Sequence, residues 1–466
     1  MKSLRDECTG RWPVHFFQKS AAAAAALLLI AGSAPAAAAD RAPLKAQQQA
    51  PSHGQSVADF YRARNNYPLW LAPTAGNAAD QLIALLSSSS LDGLYPDKYH
   101  VAALQLALDA ARNPKNIKKK QENVDRAEHA LSDAFVAYVD DLVRDPNIGI
   151  LYVDPGLRPK PPSPLAALLN AAGAPSLGDY IRNMGWMHPY YAELRSALAH
   201  HQYADEHQRQ LIALNLERAR TLPAGKQRYV VVNAAQQRLY MFEGGKVVDS
   251  MVVVVGKPKY PTPMMTAYIR FASLNPYWYV PPDLAAERIA PNTVKRGLRY
   301  LDDLGYQVLT DWDDNAQIID PKTIDWKAVA DGKVEVRIRQ LPGPHNSMGR
   351  MKFMFPNEAG VYLHDNPERE LFTEASRLYS GGCVRLEDAA RLGRWMFGYD
   401  LDWESAGTEQ RVPLPSMVPV YITYLTALPE GSSIAYYDDV YGRDAARLAA
   451  TSSAAPSGAG ASTGKF

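Results

Sequence analysis

Two residues in the C-terminal half have the types and spacing for nucleophilic chemistry. One is a cysteine in Tyr379-Ser380-Gly381-Gly382-Cys383-Val384-Arg385, and the other is the histidine of Val361-Tyr362-Leu363-His364-Asp365-Asn366-Pro367. The chain has two cysteines, and Cys8 falls in a stretch that reads as a cleaved export signal. Cys383 is then a lone thiol in an exported protein, where an unpaired cysteine is an oxidation hazard unless it is used. A free thiol has a pKa of about 8.5, so a nucleophilic role needs a nearby base or positive charge. His364 offers the base. It follows a β-branched and aromatic run that reads as a strand end, and Asn366-Pro367 stops regular structure just beyond. Ser380-Gly381-Gly382 reads as a turn whose glycines permit positive φ. The backbone N–H groups of Gly382 and Cys383 are then candidate oxyanion donors. Arg385, two residues past the thiol, shares its face on a strand.

The rival base is His345, in the Pro/Gly loop Pro342-Gly343-Pro344-His345-Asn346, a looser mount than a strand end. On residue types alone, a small buried structural cysteine remains open as a reading of Cys383.

The spaced elements resemble the active-site signature of the L,D-transpeptidases, the YkuD-fold cysteine enzymes of the bacterial cell wall. The pattern is a histidine, then Ser/Thr-x-Gly-Cys, a hydrophobic residue, and Asn or Arg. Here it reads His364, then Ser380-Gly381-Gly382-Cys383-Val384-Arg385. The common form has a second histidine where this chain has Gly381. Members of the large periplasmic subgroup also lack it, and their arginine matches Arg385. The resemblance implies Cys383 as nucleophile and His364 as base, with the backbone carbonyl of Asp365 orienting the imidazole. Tyr362, Ser380, Gly381 and Arg385 take supporting places. It implies no cofactor and no metal, peptidoglycan stem peptides as donor and acceptor, 3-3 crosslinking through a Cys383 thioester, and covalent inhibition by carbapenems. Within the same fold, action at another stem position, lipoprotein attachment, hydrolysis, and an inactive wall-binding scaffold are the alternatives. A papain-like peptidase is disfavoured, since its cysteine precedes its histidine.

The elements that must position this pair follow from patterning. Residues 1–39 read as a signal peptide: a basic start, the apolar run Ala21 to Ile30, and small residues before Asp40. This places the protein in the periplasm. The run is short for a membrane span, and no later stretch is apolar enough for one. Net charge is +1, which gives no case for nucleic-acid binding. His200, His201 and His207 read as a solvated helix end rather than a metal site.

The fold class expected is α+β. Residues 40–225 read as a helical scaffold domain, with a buried stripe over Ala130, Leu131, Ala134, Tyr138, Val139 and Leu142. Asp133, Asp140 and Asp141 read as its solvated face. The strings Asp59-Phe60-Tyr61, Pro68-Leu69-Trp70, Asp92-Gly93-Leu94 and Asn215-Leu216-Glu217-Arg218 resemble the scaffold of the same enzymes. In many of those a peptidoglycan-binding module is built in. Too few residues separate His188 from Asn215 for such a module to fold independently. Residues 226–444 read as a mainly β catalytic domain. Its strings Val254-Val255-Gly256, Pro261-Thr262-Pro263 and Asn275-Pro276-Tyr277-Trp278 resemble the YkuD domain, and residues 283–340 resemble its capping insertion. Residues 445–466, rich in Ala, Ser and Gly, read as a disordered tail.

Overall fold

A computed structural model describes residues 53–313 and 315–454. The expected signal peptide, Cys8 and positions 455–466 lie outside the described residues.

The first half is helical: α1 (His53–Ala63), α2 (Ala78–Ser87), α3 (Val101–Arg112), α4 (Lys120–Leu142), α5 (Pro164–Ala172), α6 (Leu177–Arg182), α7 (Pro189–Ala199) and α8 (Glu206–Ala219). Local chemistry sets the starts. Ser163, Ser176, His188 and Asp205 each accept a hydrogen bond from a first-turn N–H, and Pro follows Ser163 and His188 at the first helical position. The central α4 buries Leu131, Phe135, Tyr138, Val139 and Leu142 along one stripe. It also buries Glu128, whose carboxylate accepts from the Tyr61 hydroxyl at 2.7 Å and from the Leu69, Trp70 and Leu71 N–H groups at 2.7, 3.1 and 2.6 Å. The strings Asp59-Phe60-Tyr61 and Pro68-Leu69-Trp70 are thus tied to one buried acid. Asp141 pairs with Lys98 and Asp140 with Arg144 at the surface, while Asp133 is exposed.

β1 (Leu151–Tyr152) leaves the helical half and joins the catalytic sheet, pairing parallel with β5 (Met265–Leu274). The sheet's other strands are β2 (Tyr229–Asn233), β3 (Arg238–Glu243), β4 (Lys246–Gly256), β10 (Met351–Met354), β11 (Leu363–His364), β12 (Leu378–Ser380), β13 (Val384–Leu386) and β14 (Gln410–Thr423). The order β5-β10-β11-β13-β4-β3-β2-β14 returns to β5, so these eight strands close on themselves, with β12 added beside β4. Strand β2 is buried on both faces, which explains its unbroken apolar run. Val230 and Val232 face a core with Leu239, Val253 and Ile269. Tyr229 and Val231 face a second core with Leu222, Phe242 and Tyr421, against which Leu157 and Tyr190 of the helical half pack.

Between β5 and β10 lies a separate layer of four strands: β6 (Trp278–Val280), β7 (Tyr306–Leu309), β8 (Ile318–Ile319) and β9 (Arg337–Gln340), ordered β6-β9-β7-β8. Its helices are α9 (Pro282–Leu284), a π-turn over Ala285–Ile289, α10 (Ala290–Arg296), α11 (Arg299–Asp303) and α12 (Trp326–Ala330). This insertion is wider than 283–340. Strand β6 precedes residue 283, and Trp278, Val280 and Met348 belong to its core. The reason is non-local: Trp278-Tyr279-Val280 finds its partner only in β9.

After α13 (Ala389–Phe397) and β14, the hairpin β15 (Ala427–Glu430) and β16 (Ser433–Tyr436) returns to the helical core, where Ala427, Ile434 and Tyr436 pack. The expectation of disorder from residue 445 is corrected over 445–454. Arg443–Ala454 form helix α14. Asp439 starts it by accepting from the Arg443, Asp444 and Ala445 N–H groups at 2.8, 2.9 and 3.1 Å. Alanine is the best helix former, so this Ala-rich run propagates once capped. Among the described residues, no helix is long and apolar enough to cross a membrane.

The seam between the halves buries His188, whose ring packs against Tyr190, Tyr229 and Phe242. Burial pushes its pKa down to about 3. The unfolded imidazole titrates near 6.5, so between those values the unfolded chain binds a proton that the folded chain does not. Stability therefore rises with pH across this window and is lost as pH falls from about 6.5 toward 3, by up to ~1.4 kcal/mol per pH unit for each such histidine. Urea midpoints should be lower at pH 5 than at pH 7, and His188→Gln should flatten the dependence. An identical slope in the variant would refute this assignment.

Candidate active site

Strand pairing builds the site. In β11, His364 lies opposite Arg385 of β13 in a parallel register, and Leu363 lies opposite Val384. The Val384 N–H donates to the Tyr362 carbonyl at 3.1 Å, so the ladder continues back to Tyr362 and Cys383. Side chains alternate along a strand and match across a ladder. Tyr362, His364, Cys383 and Arg385 therefore share one face. The Tyr362 and His364 ring centroids are 5.8 Å apart, in an edge-on arrangement. On the far side of β11, Lys352 of β10 pairs with His364 in register.

His364 is buried, and its Nδ1 lies 2.6 Å from the Asp365 carbonyl. A carbonyl only accepts, so Nδ1 carries the proton and Nε2 is the basic nitrogen. The carbonyl that the resemblance named is thus the one that meets Nδ1. Asp365 is itself fixed. Its N–H donates to Met351 O at 2.9 Å, and its carboxylate accepts from the Arg350 N–H at 2.9 Å and from Arg369 at 3.1 Å. Gly349, at φ +62°, makes room for that carboxylate: a Cβ there would lie 2.3 Å from Asp365 Oδ2.

Burial is the main force on both His364 and Cys383. It lowers the His364 pKa to about 3, assisted by the charges of Arg385 and Lys352 and opposed by the Asp365 hydrogen bond. It raises the Cys383 thiol, opposed by hydrogen bonding from Tyr362 and by the charge of Arg385. Tyr362 is pushed well above its usual range, first by burial and then by Cys383, so its hydroxyl stays protonated. At rest the pair is a neutral thiol and a neutral imidazole, and proton transfer must accompany attack. Accordingly, Sγ points its hydrogen to the Gly360 carbonyl at 3.5 Å. Alkylation of Cys383 by iodoacetamide should keep accelerating beyond pH 8.5. A plateau reached by pH 7 would instead reveal a thiolate–imidazolium pair.

The turn before Cys383 corrects one expectation. The Gly382 N–H is not free for an oxyanion, because it donates to Ser380 Oγ at 3.1 Å. The same hydroxyl donates to the Cys383 carbonyl at 2.6 Å. A serine can close its own turn in this way, and the competition is invisible in the tripeptide. The Cys383 N–H stays a candidate oxyanion donor. Gly381 is exposed, and a Cβ there would meet Leu284 Cδ1 at 3.3 Å. Leu284, in the inserted layer's first helical turn, therefore lies against the position where the common signature has a histidine.

Arg385 ties down the loop after His364, pairing with Glu368 at 2.9 Å and reaching Asn366 Oδ1 at 3.4 Å. His345 is exposed in its loop. His200 and His201 bond Ser196 and Tyr203, and no His/Cys/Asp/Glu cluster fit for a metal occurs among the described residues. A cavity of about 390 Å3 opens at the seam beside Trp186, Arg220, Tyr268 and Tyr421, and neither His364 nor Cys383 lines it. Outside the signature, Thr262 bonds the turn at the Gly382 carbonyl, and Tyr441 and Arg443 hold Thr262. Thr262 lies within a string that carries the family resemblance, but its partners are distant in sequence.

Residues 227–406 match the L,D-transpeptidase catalytic domain, YkuD, and residues 55–198 match the Scaffold domain. A Haemophilus influenzae protein, itself only provisionally assigned as an L,D-transpeptidase, is 31% identical over 247 residues, covering 50% of this chain and 48% of the relative. The chain thus spans about half the length of that relative. An L,D-transpeptidase from Mycobacterium smegmatis shares 16% identity over 42% of this chain and 59% of its own, with a TM-score of 0.19. An Enterococcus faecium L,D-transpeptidase mutant shares 12% over 43% and 52%, with a TM-score of 0.18. Helical half, closed β domain and matched sequence families agree: the chain carries a scaffold domain followed by a YkuD-type L,D-transpeptidase catalytic domain.

Proposed function

We propose that this protein is an exported peptidoglycan L,D-transpeptidase that forms 3-3 crosslinks through a Cys383 thioester. The observation that carries the reading is the His364 Nδ1–Asp365 carbonyl bond, on the face shared with Cys383, which leaves Nε2 as the base. Cys383 attacks the carbonyl of the third residue of a donor tetrapeptide stem while its proton passes to Nε2. The C–S bond forms, and the Cys383 N–H and the Tyr362 hydroxyl stabilise the oxyanion, each such donor being worth about 3–4 kcal/mol. The C–N bond to the terminal D-alanine then breaks, and His364 returns the proton to the leaving amine. An amine of a second stem attacks the thioester, gives its proton to His364, and the thiol is regenerated. The inserted layer shields the thioester from water. Residues 1–39 direct export to the periplasm, and carbapenems acylate the same thiol.

The test is incubation of the mature protein with disaccharide tetrapeptides, beside Cys383→Ala, with mass spectrometry of the products. Expected are cysteine-dependent dimers, one released D-alanine per link, and fragmentation that places the link between two third residues. Tripeptide monomers without dimers would make the enzyme a carboxypeptidase. A link elsewhere would move the reaction to another stem position.

A further inference from the structure

We propose that Thr262 is a positioning residue for the oxyanion donor, and that the Tyr441–Asp444 segment holds it against the scaffold helix α8. This rests on the transpeptidase reading above. Thr262 is fully buried, and its one hydroxyl is used twice. It accepts from the Gly256 N–H at 2.9 Å and donates to the Gly382 carbonyl at 2.8 Å. Gly382 C=O and Cys383 N–H belong to one planar trans peptide, so they point in opposite directions. A bond that fixes the carbonyl also aims the N–H. Gly382 needs that restraint, because its φ of +116° lies where only glycine moves freely. With the Gly382 N–H already given to Ser380, the Cys383 N–H is the donor next to the thiol, and Thr262 sets its direction.

Thr262 is held in turn by the C-terminal segment. Arg443 donates to the Thr262 carbonyl at 2.8 Å, and the Thr262 N–H reaches the Tyr441 hydroxyl at 3.4 Å. That hydroxyl donates to the Gly256 carbonyl at 2.6 Å. The Arg443 guanidinium lies 4.9 Å from the ring centroids of both Tyr424 and Tyr441, and those rings stack at 5.4 Å. The next residue, Asp444, forms a buried ion pair with Arg218 of α8 at 2.6 Å. Asp444 also accepts from Thr426, which exchanges hydrogen bonds with Asn215. A continuous run of bonds therefore leads from the scaffold helix to the nucleophile's own peptide.

Thr262→Val keeps the shape and removes the hydroxyl. A misaimed oxyanion donor costs on the order of 10²-fold in kcat, with KM little changed and the thermal midpoint lowered by the two backbone groups left unpaired, and Thr262→Ser should restore most of the rate. Tyr441→Phe removes one support and should cost less, roughly tenfold, in the same parameter. Iodoacetamide alkylation of Cys383 develops no oxyanion, so its rate and pH profile should stay at the wild-type level in all three variants. A merely structural role would move alkylation together with kcat, and that result overturns the proposal. So does an unchanged kcat in Thr262→Val beside an active wild type. A wild-type protein with no cysteine-dependent product would instead refute the transpeptidase reading itself.

Discussion

Cys383→Ala is expected to abolish crosslinking, a loss on the order of 10⁶-fold if the nucleophile behaves as in other acyl-transfer enzymes. His364→Gln should lower turnover by roughly 10²–10⁴-fold, the usual span for a lost general base. The two losses should not add, since base and nucleophile act in one step. Because burial holds the imidazole pKa near 3, His364 stays unprotonated throughout the neutral range. The acid limb of the rate profile should therefore fall below pH 5. Toward alkaline pH the rate should stay level while the thiol remains protonated, because the neutral pair is the reacting form. If His364→Gln retained more than a tenth of the wild-type rate, the base would have to be sought elsewhere, and His345 would be next.

The second large effect concerns stability. Asp92 is buried in the scaffold and accepts from Tyr138 at 2.7 Å, Tyr191 at 2.8 Å and Arg195 at 2.8 Å. Arg195 also donates to the Ser88 and Leu85 carbonyls at 3.0 and 3.3 Å, which satisfies the end of α2. Asp92→Ala leaves a guanidinium buried without its counter-charge. The expected cost is about 3–5 kcal/mol, measured by urea unfolding. Removing both charges, as Asp92→Leu with Arg195→Met, should recover much of it, because the desolvation penalty disappears with the pair. A single-variant loss below about 1 kcal/mol would mean that water or a neighbour replaces Asp92.

The parts of this site that the sequence made legible are the local ones. His364 reads as a strand end because an apolar β run precedes it and Asn366-Pro367 stops it, and β11 does end there. Arg385 shares the face of Cys383 because a strand has a period of two. The Asp365 carbonyl came from family resemblance, since nothing in residue types marks one carbonyl among many. What stayed hidden depends on competition or distance. Ser380 takes the Gly382 N–H by a bond inside the turn. Strand β6 waits for β9, and Thr262 meets partners from the far end of the chain. The tail was misread because an alanine-rich run is helical or disordered according to its cap, and here Asp439 and the Arg218–Asp444 pair decide. The string Asn215-Leu216-Glu217-Arg218 was visible as a resemblance, and the structure gives its physical work: it clamps Thr426, Asp444 and Arg447 across the seam.

The most direct measurement is acid-quenched intact mass of the mature protein during turnover with a disaccharide tetrapeptide. The expected result is a single adduct equal to donor minus D-alanine, mapped by peptide fragmentation to Cys383, absent from Cys383→Ala and discharged when an acceptor stem is added. Crosslinked product formed by Cys383→Ala, or an adduct mapped to any other residue, would contradict it.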